Sequence, residues 1–445
     1  MKNVNFFAKA VSIYCICLLS ATVTVHSATK DMTNGKWTIR FNDETRKSEF
    51  VKDGTTILQD VSVKFKHNAS IIESSSYSDI KFSEENYSDA TGECKRFIIE
   101  YKNTENSTYP TIQQCFNLYP DKDYFLTDVF LLSSGTSKIE SNYIAPIYTE
   151  TQNRFLPQDA NNRFLFVPFD NDGFITYGSL PLSRGIDPTS LGVGRYARDT
   201  ISFEVTSIFN GETQEGLVIG SVEHDTWKSA IRMTGSPLSQ SYINKLECYS
   251  GATHSITRDA TDNNWLQPHG AVKGTKIKSA RMLVGLFDDW RTGMETFGDV
   301  NALIAPKREW NNPTPFGWNS WGGMERNINF DGVISVSDFI KENIQGKGHF
   351  GEDGLVGLDS FWDNLNWEQL KQFADYCKAN GQVPGIYWTP FCDWFPENDR
   401  ALEGNNGYFY SQTHLKVNGK TKKLCGAGCM DPTAPSTLSR INFFI

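Results

Sequence analysis

Near residue 313 the chain changes the period of its apolar residues, and this rules out one uniform fold. Upstream, apolar and polar residues alternate, as in Trp37, Ile39 and Phe41 and again in Val61, Val63 and Phe65. A period of two marks half-buried strands. Residues 97–101, 124–132, 216–222 and 277–287 read the same way, with Asp53-Gly54 and Asp172-Gly173 as turns between such runs. Many strands with no helical pattern between them imply a large antiparallel β-sandwich, expected over residues 28–287. Asp170-Asn171-Asp172-Gly173 reads as a hairpin turn and not as a calcium loop. Its glycine comes too early, and no glutamate closes the spacing.

Residues 288–313 read as a linker. Asp288 or Asp289 is placed to cap a short helix through Asp299, and Pro306, Asn311, Asn312 and Pro313 then break the chain. Beyond it, strand and helix patterns alternate. Residues 314–318, 355–359 and 383–388 are strands. A helix is expected from about Ser337, with Phe339 and Ile340 apolar. A second starts at Asn366, whose cap pairs with Gln369; Trp367, Leu370, Phe373, Ala374 and Cys377 form its apolar face, and Gly381 stops it. Asn418-Gly419 marks a hairpin, and Pro435 opens a last helix with Leu438, Ile441 and Ile445 on one face. Such alternation implies a parallel sheet with right-handed crossovers. A (β/α)8 TIM barrel takes ~250 residues, so residues 314–445 are expected to form its first part, about three βα units. The fold class expected is multidomain, β followed by α/β.

At 445 residues the chain exceeds one ordinary core. Its formal charge of −9 comes with no run of Lys or Arg, which argues against a nucleic-acid partner. Lys2 and Lys9 precede a short apolar core from Ala10 to Ala21, and small residues follow near Ser27. This is the layout of a cleaved signal peptide over residues 1–27 and implies an exported, periplasmic or extracellular protein with no membrane span. Cys15 and Cys17 would leave with the leader. Of the seven cysteines that remain, spacing leaves open whether Cys94 pairs with Cys115, and Cys392 with Cys425 or Cys429. The histidines are scattered, so no metal site is expected.

Seven of the eleven tryptophans lie between residues 310 and 394. Chemistry in parallel barrels gathers at the C-terminal strand ends. Those ends carry Trp318-Asn319-Ser320-Trp321, Asp359-Ser360-Phe361-Trp362-Asp363 and Trp388-Thr389-Pro390-Phe391-Cys392-Asp393-Trp394. Indole faces stack on the C–H face of a pyranose, and carboxylates and amides bind its hydroxyls. The expected substrate-binding residues are Trp318, Asp359, Trp362, Trp388 and Asp393, and the expected partner is an oligo- or polysaccharide. Trp367 reads as core.

Phe316-Gly317-Trp318-Asn319-Ser320-Trp321 resembles the opening strand of the retaining α-galactosidase clan, the melibiase-like glycoside hydrolases of families 27 and 36. Leu358-Asp359-Ser360-Phe361-Trp362 is similar to the clan's second strand, Pro384-Gly385-Ile386-Tyr387-Trp388 to its third, and Met430-Asp431-Pro432-Thr433 to the segment before its third helix. The resemblance implies that Asp359 binds sugar hydroxyls and that Trp318 lines the same pocket. Ser360 departs from the pattern, since many members hold a second aspartate there. The resemblance further implies retaining hydrolysis by two carboxylates about 5 Å apart, with no cofactor. The clan's nucleophile lies in a Lys-x-Asp context after the fourth strand. No such triplet follows Asp431, so both catalytic carboxylates are expected beyond Ile445, and the chain is expected to be a C-terminally truncated, inactive fragment. The alternative is a non-catalytic carbohydrate-binding protein.

Overall fold

A computed structural model describes residues 29–445 except 107, 158–160, 168–177, 183–199, 236–241, 252–269, 312, 313, 348–353, 405 and 425. The expected leader and the turn at 170–173 lie outside the described residues. The chain divides into two compact units, Met1–Lys307 and Arg308–Ile445. Among the described residues no helix is long and apolar enough to cross a membrane.

The first unit contains two large antiparallel sheets. One, of nine strands, runs in the order Thr29–Asn34, Trp37–Asn42, Lys47–Lys52, Thr55–His67, Tyr143–Thr149, Ile243–Gly251, Ser229–Gly235 and Thr200–Phe203, with Ser70–Glu73 paired to 55–67. The other has ten strands, and its central ones are Gly216–Ser221, Met282–Phe287, Tyr124–Leu132, Thr111–Leu118 and Gly92–Lys102. The alternation in the sequence becomes the packing. Trp37, Ile39 and Phe41 are fully buried while Thr38, Arg40 and Asn42 between and after them are not. The inner faces meet through aromatic rings set edge to face: Trp37 lies 4.9 Å and Phe50 5.1 Å from Phe125. Asp53-Gly54 joins two strands through a two-residue turn, with φ of 49° and 82°. The run 277–287 is not one strand; Lys276–Lys278 and Met282–Phe287 pair separately with Tyr124–Leu132.

Much of the expected linker is a helix, Trp290–Ile304, that belongs to the first unit. Asp289 caps it, its carboxylate accepting from the Arg291 backbone N–H. Val300 is buried with Val218, Leu283 and Phe287 on the outer face of the ten-stranded sheet. The approach is close: a Cβ at Gly293 would lie 2.6 Å from the Phe287 ring and 2.8 Å from Val218.

The second unit has three parallel strands, Gly317–Asn319, Gly354–Leu358 and Gln382–Ile386, in that order across the sheet. They form an open three-stranded sheet, and among the described residues no barrel closes from it. Phe330–Asn343 and Trp367–Ala379 are the two long intervening helices, and a single turn, Trp321–Met324, precedes the first of them. The first starts well before Ser337, because Asn329 caps it by accepting from the Gly332 N–H. Gly332, Val333 and Ile334 are poor helix formers that hide this turn from a propensity reading. Ile340 is buried there, but Phe339 points outward. The second helix has the expected capping box between Asn366 and Gln369 and ends before Gly381, at φ +74°. Phe373 and Cys377 are its buried residues; Trp367, expected in the core, is 58% exposed at the first helical position.

Residues 389–434 form an excursion between the third strand and the last helix. It contains the expected hairpin, Lys416–Val417 against Lys420–Thr421, and a small antiparallel sheet of Cys392–Asp393, Ala427–Cys429 and Lys423–Leu424. The last helix, Pro435–Phe444, buries Ser436, Thr437 and Arg440, while Leu438 and Ile445 are exposed. Arg440 sets this rotation. Its guanidinium donates to Glu403 and to the carbonyls of Thr389 and Pro390.

Candidate functional site

The register of the parallel sheet decides which strand-end side chains share a face. Trp318 pairs with Val356 and Asn319 with Gly357, while Gly357 pairs with Gly385. Side chains two apart along a strand lie on one face. Asn319, Asp359 and Tyr387 therefore stand together at the C-terminal ends of three consecutive strands, on the face opposite the two helices. Gly317 lets the first two strands approach: a Cβ there would fall 1.9 Å from the Leu355 carbonyl oxygen.

Asp359 is held on both oxygens. Asn319 Nδ2 donates to Oδ2 at 2.9 Å, and the Ser360 backbone N–H donates to Oδ1 at 2.6 Å. Its own N–H donates to Ser320 Oγ at 2.8 Å, and Ser320 is fully buried. Asn319 Oδ1 in turn accepts from the Trp321 N–H at 2.8 Å. The carboxylate is thus fixed yet only half-buried, and each oxygen keeps acceptor capacity for a ligand hydroxyl. The Tyr387 N–H extends the ladder by donating to the Leu358 carbonyl. Burial, then the negative charges of Asp359 and Cys392, push its phenol above the ordinary range. It stays protonated at neutral pH and available as a donor.

Trp321 leaves the strand end 44% exposed, stacked nearly parallel to Phe361 at an interplanar angle of 14°. Phe361 has φ +70°, a left-handed conformation that is uncommon for an aromatic residue, and the Arg326 guanidinium lies 5.7 Å from its ring. Local backbone strain of this kind collects at binding sites.

The sequence-predicted residues separate. Asp359 lies at this site. Trp318 does not: it faces the helix Phe330–Asn343, packs with Val356 and Ile340 in the layer between sheet and helix, and lines an apolar cavity of about 440 Å³ with Phe316, Val336 and Phe339. Trp362 and Trp388 gather instead at Phe444, 6.4 Å and 4.6 Å from its ring. Arg440 lies 5.0 Å from the Trp388 ring, and the buried Trp388 Nε1 has no hydrogen-bond partner among the described residues. Asp393, expected to contact a ligand, is 1% exposed. Arg400 lies 2.9 Å from Oδ1, His414 Nε2 is 2.8 Å from Oδ2, and the Phe395 N–H donates to Oδ1. That carboxylate anchors the excursion. The reading by residue type named the Trp318-Asn319-Ser320-Trp321 cluster but chose Trp318 from it; the structure turns Trp318 to the helix and sets Asn319 and Tyr387 beside Asp359. Only the cross-strand register, which pairs Asn319 with Gly357 two residues before Asp359, selects Asn319 over Trp318.

No protein-family model matches the sequence, and no curated protein does. Solved structures do match in fold. The GH36 alpha-galactosidase AgaB from Geobacillus stearothermophilus aligns with 94% of this chain at a TM-score of 0.52 and 9% identity. The alpha-N-acetylgalactosaminidase NagBb from Bifidobacterium bifidum, in complex with Gal-NHAc-DNJ, aligns with 93% at 0.51 and 11% identity. A variant of the GH36 alpha-galactosidase AgaA from Geobacillus stearothermophilus, in complex with raffinose, aligns with 93% at 0.50 and 9% identity. The chain spans 62% of the length of AgaB, 66% of NagBb and 63% of AgaA. What these matches share with this chain is a glycosidase-like fold, with a β-rich first domain of the kind that GH36 enzymes carry.

Proposed function

We propose that this chain is the N-terminal part of an exported, retaining glycoside hydrolase that removes terminal α-linked galactose-like sugars from oligo- or polysaccharides. The observation that carries the reading is the Asn319–Asp359 pair on one sheet face with Tyr387. It offers a fixed carboxylate, an amide and a phenol at adjacent strand ends, a donor and acceptor set suited to vicinal hydroxyls. The fold likeness to two α-galactosidases and an α-N-acetylgalactosaminidase supports the same substrate class. In this reading Asp359 accepts two hydroxyl hydrogen bonds, Tyr387 donates one, and the exposed Trp321 supplies the stacking face first assigned to Trp318. Trp362 and Trp388 support the last helix beside the site, and Asp393 holds the excursion.

The proposal extends to what the described residues do not contain. The three parallel strands open a (β/α)8 barrel, and the nucleophile and the acid/base carboxylate follow Ile445 in the longer protein. A leader cleaved near Ser27 exports it, and the chemistry needs no metal or cofactor. The length these neighbours have beyond the aligned part supports a longer protein. The experiment is hydrolysis of an aryl α-galactoside, with the product anomer followed by proton NMR. A protein extended along the same reading frame is expected to release the α-anomer first, and the 445-residue chain to bind the sugar without cleaving it. Turnover by the 445-residue chain would overturn the placement of the carboxylates. Binding by the extended protein with no turnover would make this a carbohydrate-binding protein.

A further inference from the structure

Cys392 and Cys429 face each other across the small sheet at the base of the excursion, as direct partners in an antiparallel pair. The type of pair follows from the hydrogen bonds around it. The Met430 N–H donates to the Phe391 carbonyl, so the pair one step along is a hydrogen-bonded one. Cys429 directs its own N–H to the Lys422 carbonyl and its carbonyl to the Leu415 N–H, away from Cys392. Cys392 and Cys429 therefore occupy a non-hydrogen-bonded position, where Cα atoms lie about 4.5 Å apart and both side chains leave on one face. A disulfide accepts Cα separations of roughly 4.4–6.8 Å.

Cys425 lies outside the described residues; among those described, accessibility separates these two thiols from the other cysteines. Both are half-buried, whereas Cys94, Cys115, Cys248 and Cys377 are buried. The pairing of Cys94 with Cys115, also open in the sequence, fails on register. Cys115 pairs with Ile98, whereas Lys95, next to Cys94, pairs with Leu118, so Cys94 and Cys115 sit about four positions apart along neighbouring strands. At about 3.3 Å per residue that separation is beyond disulfide reach.

We infer that Cys392 and Cys429 form a disulfide that closes the base of the excursion 393–428, made by exchange with a small-molecule disulfide such as oxidised glutathione. The Cys392 thiolate, its proton lost to solvent, attacks one sulfur of the oxidant; the oxidant's S–S bond breaks and one small thiol leaves. The Cys429 thiolate then attacks Cys392 Sγ and displaces the second small thiol. Two protein thiols are oxidised, and one small disulfide is reduced to two thiols. The link ties the strand that carries Asp393 to the one before the last helix, and so fixes the excursion that presents the exposed Trp394 and Phe395. Burial, then the charges of Asp393 and Cys429, raise the Cys392 thiol above its ordinary range. Exchange therefore speeds up as pH rises through the neutral and alkaline range.

The test is peptide mapping without reduction, after the full chain is equilibrated with oxidised and reduced glutathione and its remaining thiols are alkylated in denaturant. The expected result is one cross-linked peptide pair containing Cys392 and Cys429, present in wild type and in Cys425→Ser and absent in Cys429→Ser. Wild type kept reduced is the folding control, because it carries no substitution. A link from Cys425 to either residue in wild type, or alkylation of both Cys392 and Cys429 at every glutathione ratio, would overturn the inference.

Discussion

Asn319 and Asp359, forty residues apart in the chain, meet at 2.9 Å across neighbouring parallel strands. The contact orients a half-buried carboxylate without burying it, so a ligand can still reach it. A charge-assisted hydrogen bond of this kind contributes about 1.5–3 kcal/mol when shielded from water, and less at an open strand end.

Asp359→Asn is expected to weaken binding of methyl α-galactoside by roughly ten- to a hundredfold, the range that follows from losing charge-assisted hydrogen bonds. The melting temperature should fall only slightly, because the asparagine oxygen still accepts from the Ser360 N–H and only the bond from Asn319, at a solvent-accessible strand end, is lost. Isothermal titration and a thermal melt on the same preparation check both halves. A loss of fold equal to the loss of binding would show that Asp359 is structural.

Trp318 and Trp321 should separate cleanly. Trp318→Ala removes a ring from the sheet–helix layer and is expected to cost about 2–4 kcal/mol of stability, near the low end for a large core truncation because the ring is half-buried. Trp321→Ala should leave the denaturant midpoint almost unmoved and weaken sugar binding by about tenfold, or about 1.4 kcal/mol. Urea unfolding and titration of each variant make the comparison.

Gly317→Ala should be among the most damaging small substitutions in the second unit. The added methyl would sit 1.9 Å from the Leu355 carbonyl oxygen, so the strands must part. A loss of more than about 2 kcal/mol by urea unfolding is expected, in the range seen for overpacking. Ser320→Ala acts through polarity. It strands the Asp359 N–H, which now donates to the buried Ser320 Oγ, and should cost about 1–3 kcal/mol.

In the first unit, His224 joins the helix Trp290–Ile304 to the sandwich, with Nδ1 2.9 Å from Glu204 Oε2 and Nε2 2.6 Å from Asn301 Oδ1. The hydrogen bond to Glu204 is the largest cause that raises its pKa above the usual histidine value; burial opposes it, and Asn301 adds to it. Raising the folded pKa means the protonated form stabilises the fold. That stability is fully present below the unfolded value of about 6.5 and is lost as pH rises through the higher folded value. Melting temperature measured from acid to alkaline pH should therefore fall across that window in wild type. It should fall less in His224→Gln.

Much of the fold was legible because the apolar period survives folding. Trp37, Ile39 and Phe41 alternate in the sequence and in burial, and the capping box at Asn366 and the turn at Asn418-Gly419 are local chemistry that tertiary contacts do not override. The helix at Phe330 was hidden by β-branched residues that its cap and packing outweigh. The last helix turns its polar side inward because Arg440 finds Glu403 and two backbone carbonyls, partners remote in sequence. At the site, Asp359 was readable as the carboxylate just past a buried strand. Trp318 and Asp393 lie elsewhere than residue type suggested for one reason: residue type says that an indole or a carboxylate can bind sugar, and only register and neighbours say which way it points. Trp318 faces a helix, and Asp393 faces Arg400 and His414.

The central claim, that the Asn319–Asp359 face receives an α-linked galactose-like sugar, is tested most directly by the heat of titrating methyl α-galactoside into wild type, Asp359→Ala and Asp393→Asn under one buffer condition. Saturable binding in wild type, its loss in Asp359→Ala, and its retention in whatever fraction of Asp393→Asn stays folded are the expected results. No saturable heat in folded wild type, or an unchanged affinity in Asp359→Ala, would contradict the claim.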